Sequence, residues 1–105
     1  MFPKVIINLN KYKDNVKYLQ SLLTPKGIKL AAVSKVYCAD QHLIDCLNEL
    51  KVDMIGDSRI ENLKKMHTTQ PKMLLRIPMM TEVDDVVKYT DISLNSELKT
   101  IMALN

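Results

Sequence analysis

Gly27-Ile28-Lys29-Leu30-Ala31-Ala32-Val33-Ser34-Lys35 is an apolar run with little helical periodicity, entered through a glycine and left through Val36-Tyr37-Cys38. Such a run reads as a buried strand, and it carries a lysine to the point where the strand gives way to a loop. In a parallel α/β sheet the carboxyl ends of the strands face the ligand. A lysine at that end directs its amine toward a site while its aliphatic stem lies along apolar neighbours. A partly desolvated lysine has a lowered pKa and condenses with an aldehyde to an imine. The plainer reading of Lys35 is a strand-end lysine reaching water.

Outward from this stretch the same grammar repeats. Upstream, Val5-Ile6-Ile7-Asn8-Leu9 is a β-branched run behind Pro3 that predicts a first strand, with Asn10 supplying the cap of the next helix. That helix is expected to bury Tyr12, Val16, Leu19 and Leu22 or Leu23, and to stop at Thr24-Pro25-Lys26-Gly27. Downstream, Asp40 is placed to cap a helix whose inward face is Leu43, Ile44, Leu47 and Leu50. Val52 to Gly56 predicts a third strand, and Ser58-Arg59-Ile60-Glu61 has the spacing of a capping box opening a helix with Ile60, Leu63 and Met66 inward. Met73-Leu74-Leu75-Arg76-Ile77 predicts a fourth strand, closed by Pro78. A helix capped by Thr81, with Val83, Val86 and Val87 inward, leads to a fifth strand at Asp91-Ile92-Ser93-Leu94. Asn95 or Ser96 then starts a last helix that buries Leu98, Ile101 and Met102.

Strand and helix alternating every 20 to 25 residues or so define an α/β fold of about five βα units with parallel strands. Two architectures fit. One is an open doubly wound sheet; the other is a partial (β/α)8 TIM barrel, a fold of about 250 residues when complete.

Composition narrows the function. The 105 residues, 47% hydrophobic and 26% charged, describe an ordinary globular chain with material for one modest domain. The net charge of +3 is spread over most predicted helices without aromatic clustering, so no nucleic-acid footprint is read. No apolar run is long enough to span a membrane, and no signal peptide is read. Cys38 and Cys46 stand in unrelated settings, which predicts free thiols and a cytoplasmic location. His42 and His67 lack partners at ligand spacing, so no metal site is expected.

The words in order resemble a known family. Pro3-Lys4-Val5-Ile6-Ile7-Asn8-Leu9-Asn10, Ala31-Ala32-Val33-Ser34-Lys35, and Ile55-Gly56-Asp57-Ser58-Arg59-Ile60-Glu61-Asn62-Leu63 look like the first three βα units of the alanine-racemase-type, fold-type III enzymes that use pyridoxal 5'-phosphate (PLP). Lys72-Met73-Leu74-Leu75-Arg76-Ile77-Pro78 and Ile92-Ser93-Leu94-Asn95-Ser96-Glu97-Leu98 look most like the ornithine racemase subgroup. The resemblance implies a TIM barrel, PLP as cofactor, and Lys35 as the catalytic lysine that forms the Schiff base. It also implies that residues 1–105 are the N-terminal part of a barrel domain, since the family's phosphate loops, ring-nitrogen partner and second base come later. Val36-Tyr37-Cys38-Ala39-Asp40 replaces the Ala, Asn or Asp, Ala, Tyr, Gly, His that follows the lysine in true alanine racemases. That departure points away from alanine as the specific substrate.

Candidate cofactor contacts besides Lys35 are Asp57, Asn95 and Ser96 at predicted strand ends, Tyr37 just beyond the lysine, and Arg76 inside the predicted fourth strand. Each has a plain alternative: an ion pair for Asp57 and Arg59, a strand charge for Arg76, helix capping for Asn95 and Ser96. Three functions stay open. The first is the N-terminal portion of a PLP-dependent amino-acid racemase, ornithine- or alanine-racemase-like; the second is a non-catalytic PLP-binding protein; the third is a five-stranded binding module. The unpaired edges of a partial barrel predict self-association, as a homodimer or larger.

Overall fold

A lone strand leaves its backbone N–H and C=O groups unpaired on both sides, so short strands persist only as a ladder. The computed structural model describes residues 2–105 and pairs four strands: β1 (Ala31–Val33), β2 (Met54–Asp57), β3 (Lys72–Leu74) and β4 (Ile92–Ser93). Every pairing is parallel, and the order across the sheet is the order along the chain. A doubly wound sheet reverses its order at a switch point; this sheet does not reverse. Crossovers of the usual hand that advance in one direction lay their helices on one face. Helices α1 (Leu9–Leu23), α2 (Gln41–Leu50), α3 (Ile60–Lys65), α4 (Val83–Tyr89) and α5 (Leu98–Leu104) pack as neighbours, α1 on α2, α3 on α4 and α4 on α5. The smallest dimension of the molecule, 21 Å, equals one sheet layer plus one helix layer. The fold is therefore a singly wound α/β layer pair, compatible with part of a barrel.

Register fixes the two faces of the sheet. Ala32 stands opposite Ile55, and Ile55 opposite Lys72; Asp57 stands opposite Leu74. Ile55 and Leu74 are fully enclosed, together with Ile44, Leu47, Val52 and Leu63, so this face carries the core under the helices. Val33, Gly56, Met73 and Ile92 form the row on the opposite face, where Val33 is 43% exposed. A Cβ on Gly56 would lie 3.0 Å from Leu75 Cδ1; the missing side chain is what lets Leu75 lie across β2.

Several expected elements hold. Asp40 caps α2, accepting from His42 N–H at 3.0 Å, and α1 ends in a 3₁₀ turn at Thr24–Lys26 followed by Gly27 at φ 68°. Leu43, Ile44, Cys46 and Leu47 are buried on α2 as the spacing predicts.

Four expectations are corrected. The run Val5–Leu9 forms no strand. Val5 and Ile6 are 88% and 82% exposed, and β-branched propensity alone does not hold an extended segment without a partner edge. Asn8, not Asn10, caps α1, accepting from Lys11 N–H at 3.1 Å, so the last residue of the expected strand becomes the first of the helix. The capping box at Ser58 does not form: the N-cap of α3 is Arg59, no side chain caps the helix, and the carboxylate of Asp57 accepts from Arg59 N–H at 2.9 Å. The last helix starts after Glu97 and turns Thr100 inward. Leu98, Ile101 and Met102, expected to be buried, stay exposed on the side that α4 does not reach.

Candidate functional site

Because the strands are parallel, whatever follows β1, β2, β3 and β4 gathers at one end of the sheet. Lys35 follows Val33 and Ser34 there, in a 3₁₀ turn spanning Lys35–Tyr37. The turn closes on Ser34, whose carbonyl accepts from Tyr37 N–H at 3.3 Å and Ala39 N–H at 3.0 Å. Cys38 and Ala39 then adopt left-handed φ angles of 51° and 54°, which turn the chain sharply into Asp40 and α2. Lys35 itself is exposed, and among the described residues its amine has no hydrogen bond or ion pair to the protein.

The other predicted site residues fall into separate settings. Asp57, expected on the ligand side, has its side chain on the helix-covered face and is fully enclosed. Its Oδ2 accepts from Ser34 Oγ at 2.7 Å, and its Oδ1 accepts from Arg59 N–H at 2.9 Å and Asn62 Nδ2 at 3.1 Å. Arg76 lies beyond the end of β3 rather than within it, exposed and paired with Glu82 at 2.7 Å. With Ser58, Arg59, Glu61 and Glu82 it bounds a polar cleft of about 550 Å³. Asn95 reaches back to Ser93 O at 3.3 Å and Ser93 Oγ at 2.9 Å, while its own Oδ1 is buried without a partner. Neither Asn95 nor Ser96 caps α5.

Tyr37 points toward α1. Its hydroxyl meets that of Tyr12 at 2.9 Å, and the rings meet edge to face at 6.1 Å between centroids. Burial, and then the hydrogen bond with Tyr12, push the Tyr37 pKa well above its ordinary value of 10.0; burial likewise raises Tyr12. The unfolded chain loses these protons near pH 10 while the folded chain keeps them. Stability present below about pH 10 is therefore expected to fall as pH rises past it, and Tyr37→Phe should flatten that fall in urea titrations between about pH 9 and 11.

Ser34 and Asn62 were not singled out by sequence reasoning, and Tyr12 was expected only as an inward residue of the first helix. Ser34 had a signal, being two residues beyond Ala32 and so on the same face. Asp57 and Arg59 had the i, i+2 spacing of an Asx turn.

A parallel sheet wound in one direction brings Lys35, Arg59, Arg76 and Asn95 to one end of the sheet, the end that commonly faces ligand in βα-repeat proteins. No protein-family model matches the chain, and no solved structure gives a significant match. Curated sequences do. An ornithine racemase from Acetoanaerobium sticklandii is 50% identical over 106 aligned residues, which cover 100% of this chain and 30% of that protein. A lysine racemase from Thermotoga maritima is 33% identical over 94 residues, 87% of this chain and 27% of that protein. The chain thus spans under a third of the length of the curated relatives it matches, and the matched stretch is their N-terminal part. It is related by sequence to the amino-acid racemases, as its motifs indicate.

Proposed function

We propose that this chain is the N-terminal part of a PLP-dependent racemase of basic amino acids, with Lys35 as the residue that holds the cofactor. The observation that carries the reading is the coincidence of similarity along the whole of this chain to the N-terminal part of an ornithine racemase with an exposed lysine, unpartnered among the described residues, at the carboxyl end of β1. The residues fit the group chemically: a primary amine suits an aldehyde, and the exposed Arg59 after β2, which is in none of the ion pairs among the described residues, suits an anionic substituent. Bound at Lys35, PLP would supply the electron withdrawal that makes the α-proton of an amino acid acidic.

The chain's own residues then have two tasks. Lys35 Nζ, once released from the cofactor, would accept a proton from the α-carbon and, in its ammonium form, return one on the face it approaches. The loop that carries it must hold Nζ within hydrogen-bond reach of that carbon's proton, because small misplacements slow proton transfer strongly. The amino acids named for the two relatives share a second, terminal ammonium group, and a diamino acid is accordingly the substrate class proposed here.

The test is racemisation of L-ornithine and L-lysine, with and without added PLP, by a polypeptide of the relatives' full length. Racemisation that requires PLP supports the reading; PLP capture without racemisation would move the assignment to a non-catalytic PLP-binding protein.

Surroundings follow the same reading. Cys38 and Cys46 are free thiols, which supports placement in the reducing cytoplasm; no helix among the described residues is long and apolar enough to cross a membrane. The outer edges of β1 and β4 carry no ladder, and Leu98, Met102 and Ile92 lie exposed near β4. Unpaired edges beside apolar surface recruit strands of other copies. The chain is expected to sediment as a dimer or larger at high concentration; a monodisperse monomer there would count against this.

A further inference from the structure

A carboxylate sealed from water ordinarily has a cation beside it, and Asp57 does not. It is fully enclosed, and its oxygens are satisfied by three donors, none of them charged: the Ser34 hydroxyl, the Arg59 backbone N–H and the Asn62 amide. These donors come from two segments, the end of β1 and the start of α3. Ser34 ends the β1 segment, Arg59 opens α3, and Asn62 lies one turn into it; the Asp57 carbonyl also accepts from Leu75 N–H at 2.9 Å, beyond β3. Three strand ends are therefore fastened to one residue.

The link to chemistry runs through Ser34. This residue is also fully enclosed, and its backbone N–H and hydroxyl both reach Gly56 O, at 2.9 and 3.3 Å. Its carbonyl accepts both amides that close the turn bearing Lys35. Lys35 is the next residue in the chain, exposed and without a protein partner of its own among the described residues. Nothing at the tip of its side chain fixes where the amine sits, so its placement depends on the backbone beneath it.

Resting on the assignment of Lys35 as the cofactor lysine, we propose that Asp57 is a positioning residue that acts through Ser34 to hold the Lys35 turn in the conformation that receives an aldehyde. It does not touch the cofactor; it sets the base from which Lys35 rises.

Ser34→Ala and Asp57→Asn remove the contact from either side, and Ser34→Thr restores the hydroxyl. Two readouts are taken on a polypeptide of the relatives' full length, each variant being checked for cooperative melting. The first is hydrogen exchange of the Tyr37 and Ala39 amides, which does not involve PLP. The second is the PLP concentration that half-saturates borohydride trapping at Lys35. Ser34→Ala and Asp57→Asn are expected to speed the loop amides about tenfold or more, and to raise the half-saturating PLP concentration at least about tenfold, with recovery in Ser34→Thr. A purely structural role would lower the melting temperature and leave trapping by the folded chain unchanged. Unchanged loop exchange in a folded Ser34→Ala, or faster exchange with unchanged trapping, overturns the proposal while leaving Lys35 as the cofactor lysine. No trapping at Lys35 in the unsubstituted chain overturns that assignment, and the inference with it.

Discussion

Lys35→Ala is expected to lower racemisation by a polypeptide of the relatives' full length by at least about a thousandfold, with the stability of this chain changed by no more than about 0.5 kcal/mol. The asymmetry follows from where the residue lies. Its side chain is exposed and takes part in none of the ion pairs, which join Lys13 to Glu49, His42 to Asp40, Lys64 to Asp85 and Arg76 to Glu82. Truncating it breaks no side-chain hydrogen bond or ion pair among the described residues. Chemically, the substitution removes the one primary amine at the carboxyl end of β1. Activity is read by the change in optical rotation of L-ornithine and stability by thermal melting. A variant that retains activity contradicts the role of Lys35; one that loses activity only because it unfolds contradicts its placement.

Ile55→Ala carries the largest expected effect on folding, a loss of about 2–5 kcal/mol. Ile55 lies in β2, an interior strand, between Ala32 and Lys72 in register, and is fully enclosed. Ala32 is too small to fill the space left behind. The ammonium of Lys72 is held by the Leu63 carbonyl at 2.8 Å and the Met66 carbonyl at 3.4 Å, so that side chain is committed elsewhere. A domain of this size has only about 5–15 kcal/mol in total, so the variant should melt many degrees lower. Val36→Ala, at an 89% exposed position in the Lys35 turn, is the control and should change stability by about 0.5 kcal/mol or less. Equal melting temperatures for the two variants would contradict the core as drawn.

The parallel sheet was legible because its strands are short apolar runs set between helices with clear inward stripes, as at Leu43, Ile44 and Leu47. The first expected strand was not, for Val5-Ile6-Ile7 has strand propensity but no partner edge, and partners are not written locally. Arg76 shows a similar limit. Alternation within Met73–Ile77 placed it in a strand, whereas the ladder stops at Leu74 and releases it to Glu82. The position of Lys35 at the end of an apolar run was readable from the order of residues alone. The inward direction of Asp57 was not: Gly56-Asp57-Ser58-Arg59 suggests a ligand-side acid, and only the register that puts Asp57 opposite Leu74 turns it beneath α3. Tyr37 likewise was readable as a residue near the lysine, but its hydroxyl is drawn to Tyr12, 25 residues earlier.

The central claim is that Lys35 holds the cofactor, and it is tested most directly by incubating the chain with PLP, reducing with borohydride, and mapping the pyridoxyl label by peptide mass. The label should fall on the peptide containing Lys35 and vanish in Lys35→Ala. Label on Lys29 or another exposed lysine in equal measure, or its persistence in the variant, would contradict the claim.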